Sequence, residues 1–357
     1  MKKSIAAALM ALCSLPASAM DLYFGADLSY ANQIVDCGGI YRDKGQLADV
    51  YQIFKDHGAN LIRVRIWTDG NKSPYSNLPD VIRTIRATRE KGMQVLLDFH
   101  YSDSWADAGK QYTPKAWEDI SDTAALEDTL YRYTTYILAT LDHQGLMPEM
   151  VQVGNEINVE MLKKQGTPKE PINWERNARL INAGIRAVRD AGAKSKIKPR
   201  IMLQIAQPEN VEPWFAAATQ AGVTDYDLIG ISYYGHMWST YDLPQLGDVI
   251  RRLRTTYRNK DVMLVETAFP NGADLPGMHS NLNAKAEMPG YTATVEGQKK
   301  FLVDLTKTVL AAGGDGVNYW GPDLVPNTCS TRNTGSRTAL FDLEGNVLPG
   351  IDFLQAR

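Results

Sequence analysis

Val151-Gln-Val-Gly-Asn-Glu156 is an apolar β-type run that ends abruptly in a carboxylate, and Met263-Leu-Val-Glu266 repeats the pattern further along the chain. Runs of Val, Leu and Met without helical spacing predict buried strands of a parallel sheet. An unpaired charge inside such a sheet is too costly to keep. Each glutamate therefore belongs at the C-terminal end of its strand, where parallel α/β folds gather their functional residues.

Further runs of the same kind extend the reading outward. Candidate strands are Leu22–Leu28, Leu61–Trp67, Gln94–His100, Met150–Glu156, Arg200–Gln204, Leu228–Tyr233, Val262–Thr267 and Val317–Trp320. Between them lie segments with helical spacing: Leu47–His57, Leu78–Lys91, Thr123–Gln144, Trp174–Ala191, Val211–Ala221, Leu243–Asn259 and Val295–Ala312. Gly58, Gly92, Gly145, Gly192, Gly222 and Gly313 stand where helix C-caps belong. Eight strands alternating with helices predict a single (β/α)8 TIM barrel. A doubly wound sheet is the alternative, but no phosphate-binding glycine fingerprint opens the first βα turn. Ser102–Ile120, Asn271–Tyr291 and Gly321–Phe341 are long βα segments, expected to build the rim of a substrate cleft.

The first residues read as a leader rather than as fold. Lys2 and Lys3 form a basic region, Ile5–Leu15 an apolar one, and Ala17-Ser18-Ala19 a small-x-small cleavage pattern. Residues 1–19 are thus expected to be a signal peptide and 20–357 the catalytic barrel, secreted or periplasmic after cleavage. The apolar stretch is too short to span a bilayer, and no membrane anchoring is expected. A net charge of −3 leaves no basic stripe, which argues against nucleic acid as a partner. Seven Trp and seventeen Tyr supply flat apolar faces of the kind sugar rings pack on, although most belong in a core. Cys37 follows the first strand and Cys329 the last, and those strands are neighbours in a closed barrel. A disulfide between them and two buried free thiols both fit this pattern.

Two carboxylates converging on one barrel mouth are the equipment of a retaining glycosidase. One attacks the anomeric carbon and the other protonates the leaving oxygen, with about 5–5.5 Å between them. Glu156 is the expected acid/base and Glu266 the expected nucleophile; for either alone, a rim carboxylate capping a helix or paired to Arg is the bland reading. Asn155 is positioned to reach a sugar 2-hydroxyl. Arg63 and Arg65 share one face of their strand, and one of them is expected to hold Glu266 ionised. His100 ends the third strand and is expected to bond a sugar hydroxyl, Tyr234 to sit near the nucleophile, and Trp320 to floor the sugar site. Asn155, Arg65, His100, Tyr234 and Trp320 thus make the expected substrate-binding set. The five histidines show no metal-ligand spacing, so no metal is expected.

Gly25-Ala-Asp-Leu-Ser-Tyr30, Asp36-Cys-Gly38, His57-Gly-Ala-Asn60, Arg63-Val-Arg-Ile-Trp67 and Leu96-Leu-Asp-Phe-His-Tyr-Ser-Asp103 carry a resemblance. It continues through Trp105-Ala-Asp-Ala-Gly-Lys110, Glu149-Met-Val-Gln-Val-Gly-Asn-Glu156, Ile231-Ser-Tyr-Tyr234, Glu266-Thr-Ala268 and Tyr319-Trp320. The chain resembles glycoside hydrolase family 53, the endo-β-1,4-galactanases, from end to end of the sequence after the leader. The resemblance implies cleavage of internal β-1,4 bonds in galactan or type I arabinogalactan, without a cofactor. It carries acid/base to Glu156 and nucleophile to Glu266. Four segments depart from the family pattern: Gly235-His-Met-Trp238, Gln204-Ile-Ala-Gln-Pro208, Gly321-Pro322, and Ile157 after the glutamate. They bear on subsite preference and leave both carboxylates in place. Some bacterial relatives bind calcium after the seventh strand; Asp274, His279, Asn281 and Asn283 echo that loop only in part, and with so few charged ligands a plain polar loop is favoured. Rival readings are the same mechanism on another β-linked polysaccharide, a non-catalytic glycan-binding barrel and, more distantly, a metal-dependent hydrolase. A monomer is the default expectation.

Overall fold

The computed structural model describes residues 22–68, 73–168, 170–273, 288–329 and 335–356. The expected signal peptide and the loop holding Asp274, His279, Asn281 and Asn283 lie outside the described residues. Eight parallel strands close into a barrel: β1 Tyr23–Asp27, β2 Leu61–Ile66, β3 Gln94–Phe99, β4 Met150–Val153, β5 Arg200–Ala206, β6 Leu228–Tyr233, β7 Asp261–Thr267 and β8 Gly316–Trp320. β1 pairs with β2 on one side and with β8 on the other, which completes the closure. The helices are α1 Ala31–Asp36, α2 Val50–Asp56, α3 Leu78–Glu90, α4 Thr123–His143, α5 Trp174–Lys194, α6 Pro208–Gln220, α7 Leu243–Thr256 and α8 Val295–Ala311.

Local chemistry explains where these elements begin. Asp49, Asn77, Asp122, Asn173 and Thr294 each accept a backbone N–H of the first turn they precede. Asp242 and Gln245 form a reciprocal capping box on α7. The apolar sides of α3, α5 and α7 lie against the outside of the barrel, whose strands are buried on both faces.

Helix and strand ends differ from the expected boundaries by up to three residues, α6 starting at Pro208 and α7 ending at Thr256 among them, and four differences are instructive. Gln46–Leu47 pairs with Arg42–Asp43 as a small hairpin, so α2 starts at its Asp49 cap rather than at Leu47. Gly192 lies inside α5, while the other five cap glycines take positive φ just past their helices. β5 continues past Gln204 to Ala206. β4 stops at Val153, so Glu156 stands beyond the strand, on a turn where Gly154 has φ +83° and Glu156 itself has φ +44°. A side chain at Gly154 would meet Ile157 at 2.5 Å, so only glycine fits that corner.

Inside the barrel, period-two alternation sorts residues into layers. Tyr23, Leu61, Leu96, Met150, Met202, Leu228 and Met263 form a buried apolar floor. Two residues further along their strands stand Arg63, Asp98, Gln152 and Gln204, and Asp27 follows on β1. β7 breaks the alternation. Ile231 pairs with Leu264 but the next residue, Ser232, pairs with Glu266, so Val265 is an extra residue and the register shifts. Val265 joins the floor cluster beside Met263. Strict alternation would then turn Glu266 outward; the shift returns it to the mouth.

A disulfide joins Cys37, just after α1, to Cys329 in the loop after β8, with 5.3 Å between Cα atoms. Among the described residues no helix is long and apolar enough to cross a membrane.

Candidate active site

The polar layer meets the C-terminal mouth at Arg63, which is 1% exposed. A guanidinium has five N–H donors; four of them make hydrogen bonds here, and an ion pair to Glu266 adds a fifth polar contact. Nη1 donates to Asp27 Oδ2 at 2.8 Å and forms an ion pair with Glu266 Oε1, also at 2.8 Å. Nη2 donates to Asp98 Oδ2 at 2.8 Å and Asn155 Oδ1 at 2.7 Å. Nε donates to Gln152 Oε1 at 3.2 Å. Burial works against the charge of Arg63, but Asp98, Glu266 and Asp27 outweigh it and hold the group firmly protonated. Of the two arginines, Arg63 is therefore the partner of Glu266.

Glu266 also accepts from the Tyr234 hydroxyl at 3.1 Å and from the Gln204 amide at 3.0 Å. Gln204 links the two glutamates. Its Nε2 bonds Glu266 Oε1 and Ser232 Oγ, and its Oε1 accepts the backbone N–H of Glu156 at 2.9 Å. The side chain of Glu156 is more sparsely held, by the Ala108 N–H at 3.3 Å and the Ser232 hydroxyl.

This asymmetry separates the two acids. Burial, and then the charge of Glu266, push the Glu156 carboxyl up to about 8. Burial raises Glu266 as well, but Arg63 and Gln204 pull it back toward ionisation. Glu266 is thus the first of the pair to lose its proton, and Glu156 keeps its own near neutrality. Burial and both glutamates hold the Tyr234 hydroxyl protonated, so it donates.

Both glutamates line one cleft of about 160 Å³ with Asn155, Tyr234, Trp105 and Trp320. Asp107, Lys110 and Trp238 complete its walls. Asn155 lines the cleft, and its amide nitrogen donates to the Ala106 carbonyl at 2.8 Å. Trp320 packs edge-on against Tyr30 and Trp105.

Two residues of the expected substrate-binding set do not reach the cleft. His100 is 2% exposed, and its nitrogens are engaged within the protein. Nδ1 accepts from the Ala106 N–H at 3.1 Å and the Trp67 indole at 3.4 Å, while Nε2 faces Asp98 Oδ2 at 3.0 Å. Such partners fix the Nε2–H form, and His100 acts on the Arg63 cluster through Asp98. Arg65 is enclosed by the rings of Tyr30, Trp67 and Trp105, 4.2–4.6 Å from their centroids. It braces the aromatic wall rather than facing a ligand.

Sequence reasoning missed Asp27, Gln152, Ser232, Trp105 and Lys110 as site residues, and noted Gln204 and Trp238 only within segments that depart from the family pattern. Counting two residues on from Met150 and Met202 finds Gln152 and Gln204. The loop residues Trp105, Lys110 and Trp238 carry no periodic signal. Among the described residues no three His, Cys, Asp or Glu side chains gather as a metal site.

Comparison with known proteins gives the family. The family model described as glycosyl hydrolase family 53 matches residues 23–354. The chain belongs to glycoside hydrolase family 53. It is 46% identical to an arabinogalactan endo-beta-1,4-galactanase of Cellvibrio japonicus, over 100% of this chain and 98% of the relative. An endo-beta-1,4-galactanase of Bacillus subtilis is 33% identical over 86% of this chain and 71% of the relative. The Ignisphaera aggregans GH53 catalytic domain superposes with a TM-score of 0.84 at 30% identity, covering 96% of this chain and 97% of that one.

Proposed function

We propose that this chain is an exported retaining endo-β-1,4-galactanase that hydrolyses internal bonds of galactan or type I arabinogalactan. It would act as a single chain and without a cofactor, since every group invoked below belongs to that chain. The observation that carries the mechanism is the unequal holding of the two acids. Glu266 is tied to Arg63, Tyr234 and Gln204, and Glu156 is left with a carboxyl pushed up to about 8.

Glu266 attacks the anomeric carbon while Glu156 gives its proton to the departing glycosidic oxygen. The bond to the leaving sugar breaks and a glycosyl ester on Glu266 forms. Glu156, now a carboxylate, takes a proton from water as that water attacks the same carbon, and Glu266 departs. Net β configuration is retained after two inversions. Asn155, at the cleft wall, would donate to the 2-hydroxyl, where transition-state charge strengthens a hydrogen bond, and Trp320 with Trp105 would supply an apolar face for the ring. The names of the relatives support galactan as the polymer. The leader-like Lys2–Ala19 segment supports export to the periplasm or beyond.

The test is to incubate the purified protein with linear β-1,4-galactan and resolve the products by chromatography. Galacto-oligosaccharides of mixed length are expected. Glu156→Gln should lower the rate on polymer about 10²–10⁴-fold without unfolding the protein. No product from folded wild type, with product from another β-linked polysaccharide, would move the same mechanism to that polymer.

A further inference from the structure

Gln152 and Gln204 are fully buried, carry no charge and take no part in the bond changes above. What they carry is direction. A primary amide has an acceptor at one end and two donors at the other, and its shape fits a pocket either way round. Partners that can only donate, or only accept, decide which way it stands.

At Gln152 those partners agree. Arg63 Nε can only donate, and it meets the amide oxygen at 3.2 Å. The Asp98 carboxylate, paired to Arg63, can only accept, and it meets the amide nitrogen at 2.7 Å. The Gly154 carbonyl accepts from the same nitrogen at 3.0 Å. Held this way round, Gln152 also donates to Gln204 Oε1 at 2.6 Å. The backbone N–H of Glu156 reaches that oxygen at 2.9 Å. With its oxygen taken twice, Gln204 turns its nitrogen to Glu266 Oε1 at 3.0 Å and to Ser232 Oγ at 2.9 Å. Ser232 accepts there, so its own proton is left for Glu156. One polarity thus runs from Asp98 on β3, through β4 and β5, to both glutamates.

We propose that Gln152 is a positioning residue for the reaction, fixing the Gln204 amide so that a donor rather than an acceptor faces the nucleophile. The proposal rests on the assignment of Glu266 and Glu156 made above. Among the described residues no hydrogen bond joins Gln152 to either glutamate side chain, so it acts through Gln204. An acceptor in its place would draw the Gln204 nitrogen away from Glu266 and set an oxygen against the carboxylate, a costly arrangement in a buried site.

The test is the pH dependence of kcat/KM on linear β-1,4-galactan, whose acid limb follows the first of the two acids to ionise. Gln152→Glu keeps the shape and the acceptor for Arg63 but, once ionised, offers Gln204 no donor. The acid limb should move up by about one pH unit, the size of one hydrogen bond to a charged group. Part of that shift comes directly from the added charge, so the same substitution is repeated in a Gln204→Met background. The direct part persists there and the relayed part does not, so the shift should fall to half or less. Gln152→Met adds no charge; it should move the limb the same way by less, again only with Gln204 present, and decides the matter if Gln152→Glu folds poorly. The other charged or titratable groups facing the two acids, Asp27, Arg63, Asp98, Asp107 and Tyr234, stay in every variant. Equal shifts in both backgrounds would overturn the proposal. So would a fall in activity at every pH with the limb unmoved, the signature of a purely structural role. Wild type inactive on galactan would instead refute the functional reading, before any variant is compared.

Discussion

The barrel interior holds two layers made by the same strands, and they differ in what they tolerate. The floor of Leu61, Leu96, Met150, Met202 and Met263 is apolar, with each side chain satisfied by whatever fills the space beside it. One step up, Arg63, Asp98, Gln152 and Gln204 are joined by hydrogen bonds into one network. The floor stabilises by area buried and the upper layer by pairing, so a floor residue can shrink at a local cost. Removing one member of the upper layer strands several others.

Breaking the upper layer should have the largest effect. Arg63→Met leaves Asp27, Asp98 and Glu266 buried together without their cation, and should cost about 3–5 kcal/mol in denaturant unfolding. It should also abolish turnover, because Glu266 would then retain a proton. Met202→Ala, one layer below, should cost about 2–5 kcal/mol through its cavity. The pH dependence of the folded enzyme should not move. A Met202→Ala profile displaced as far as that of a Gln204 variant would erase the distinction between layers.

Smaller in free energy, and sharper in meaning, is the titration of Glu156. Its folded carboxyl stands at about 8, above its ordinary 4.5. The folded state therefore binds a proton that the unfolded state has lost, and stability from this group falls as pH rises from about 4.5 through 8. Glu156→Gln removes that cost and should raise stability at pH 7 by about 0.5–2 kcal/mol, with the gain fading below pH 4.5. Thermal unfolding across this range reads the effect directly. Activity should fall over the same upper limb, as Glu156 loses the proton it must donate.

The fold was legible because buried parallel strands are written as unbroken apolar runs, and all eight were found. The glutamate pair was legible because a carboxylate closing such a run has few places to go. Choosing between Arg63 and Arg65 was not, since both share a face and only packing separates a guanidinium among carboxylates from one among rings. His100 misled for a related reason: ending a strand places a residue near the mouth, but Trp67, Ala106 and Asp98 had already taken its nitrogens. Glu266 faces inward because of one extra residue, Val265, which no alternation rule anticipates. The cleft walls come from long loops, whose course is set by tertiary contacts such as the Arg65 stack on Trp105.

The central claim is that Glu266, held ionised by Arg63, forms the bond to the sugar. The most direct measurement is to trap that bond with a 2-deoxy-2-fluoro-β-galactosyl fluoride and map the labelled peptide by mass spectrometry. The account predicts one fluorogalactosyl ester, on Glu266, forming as activity is lost and disappearing as activity returns. A label on another residue, or inactivation with no covalent adduct, would contradict it.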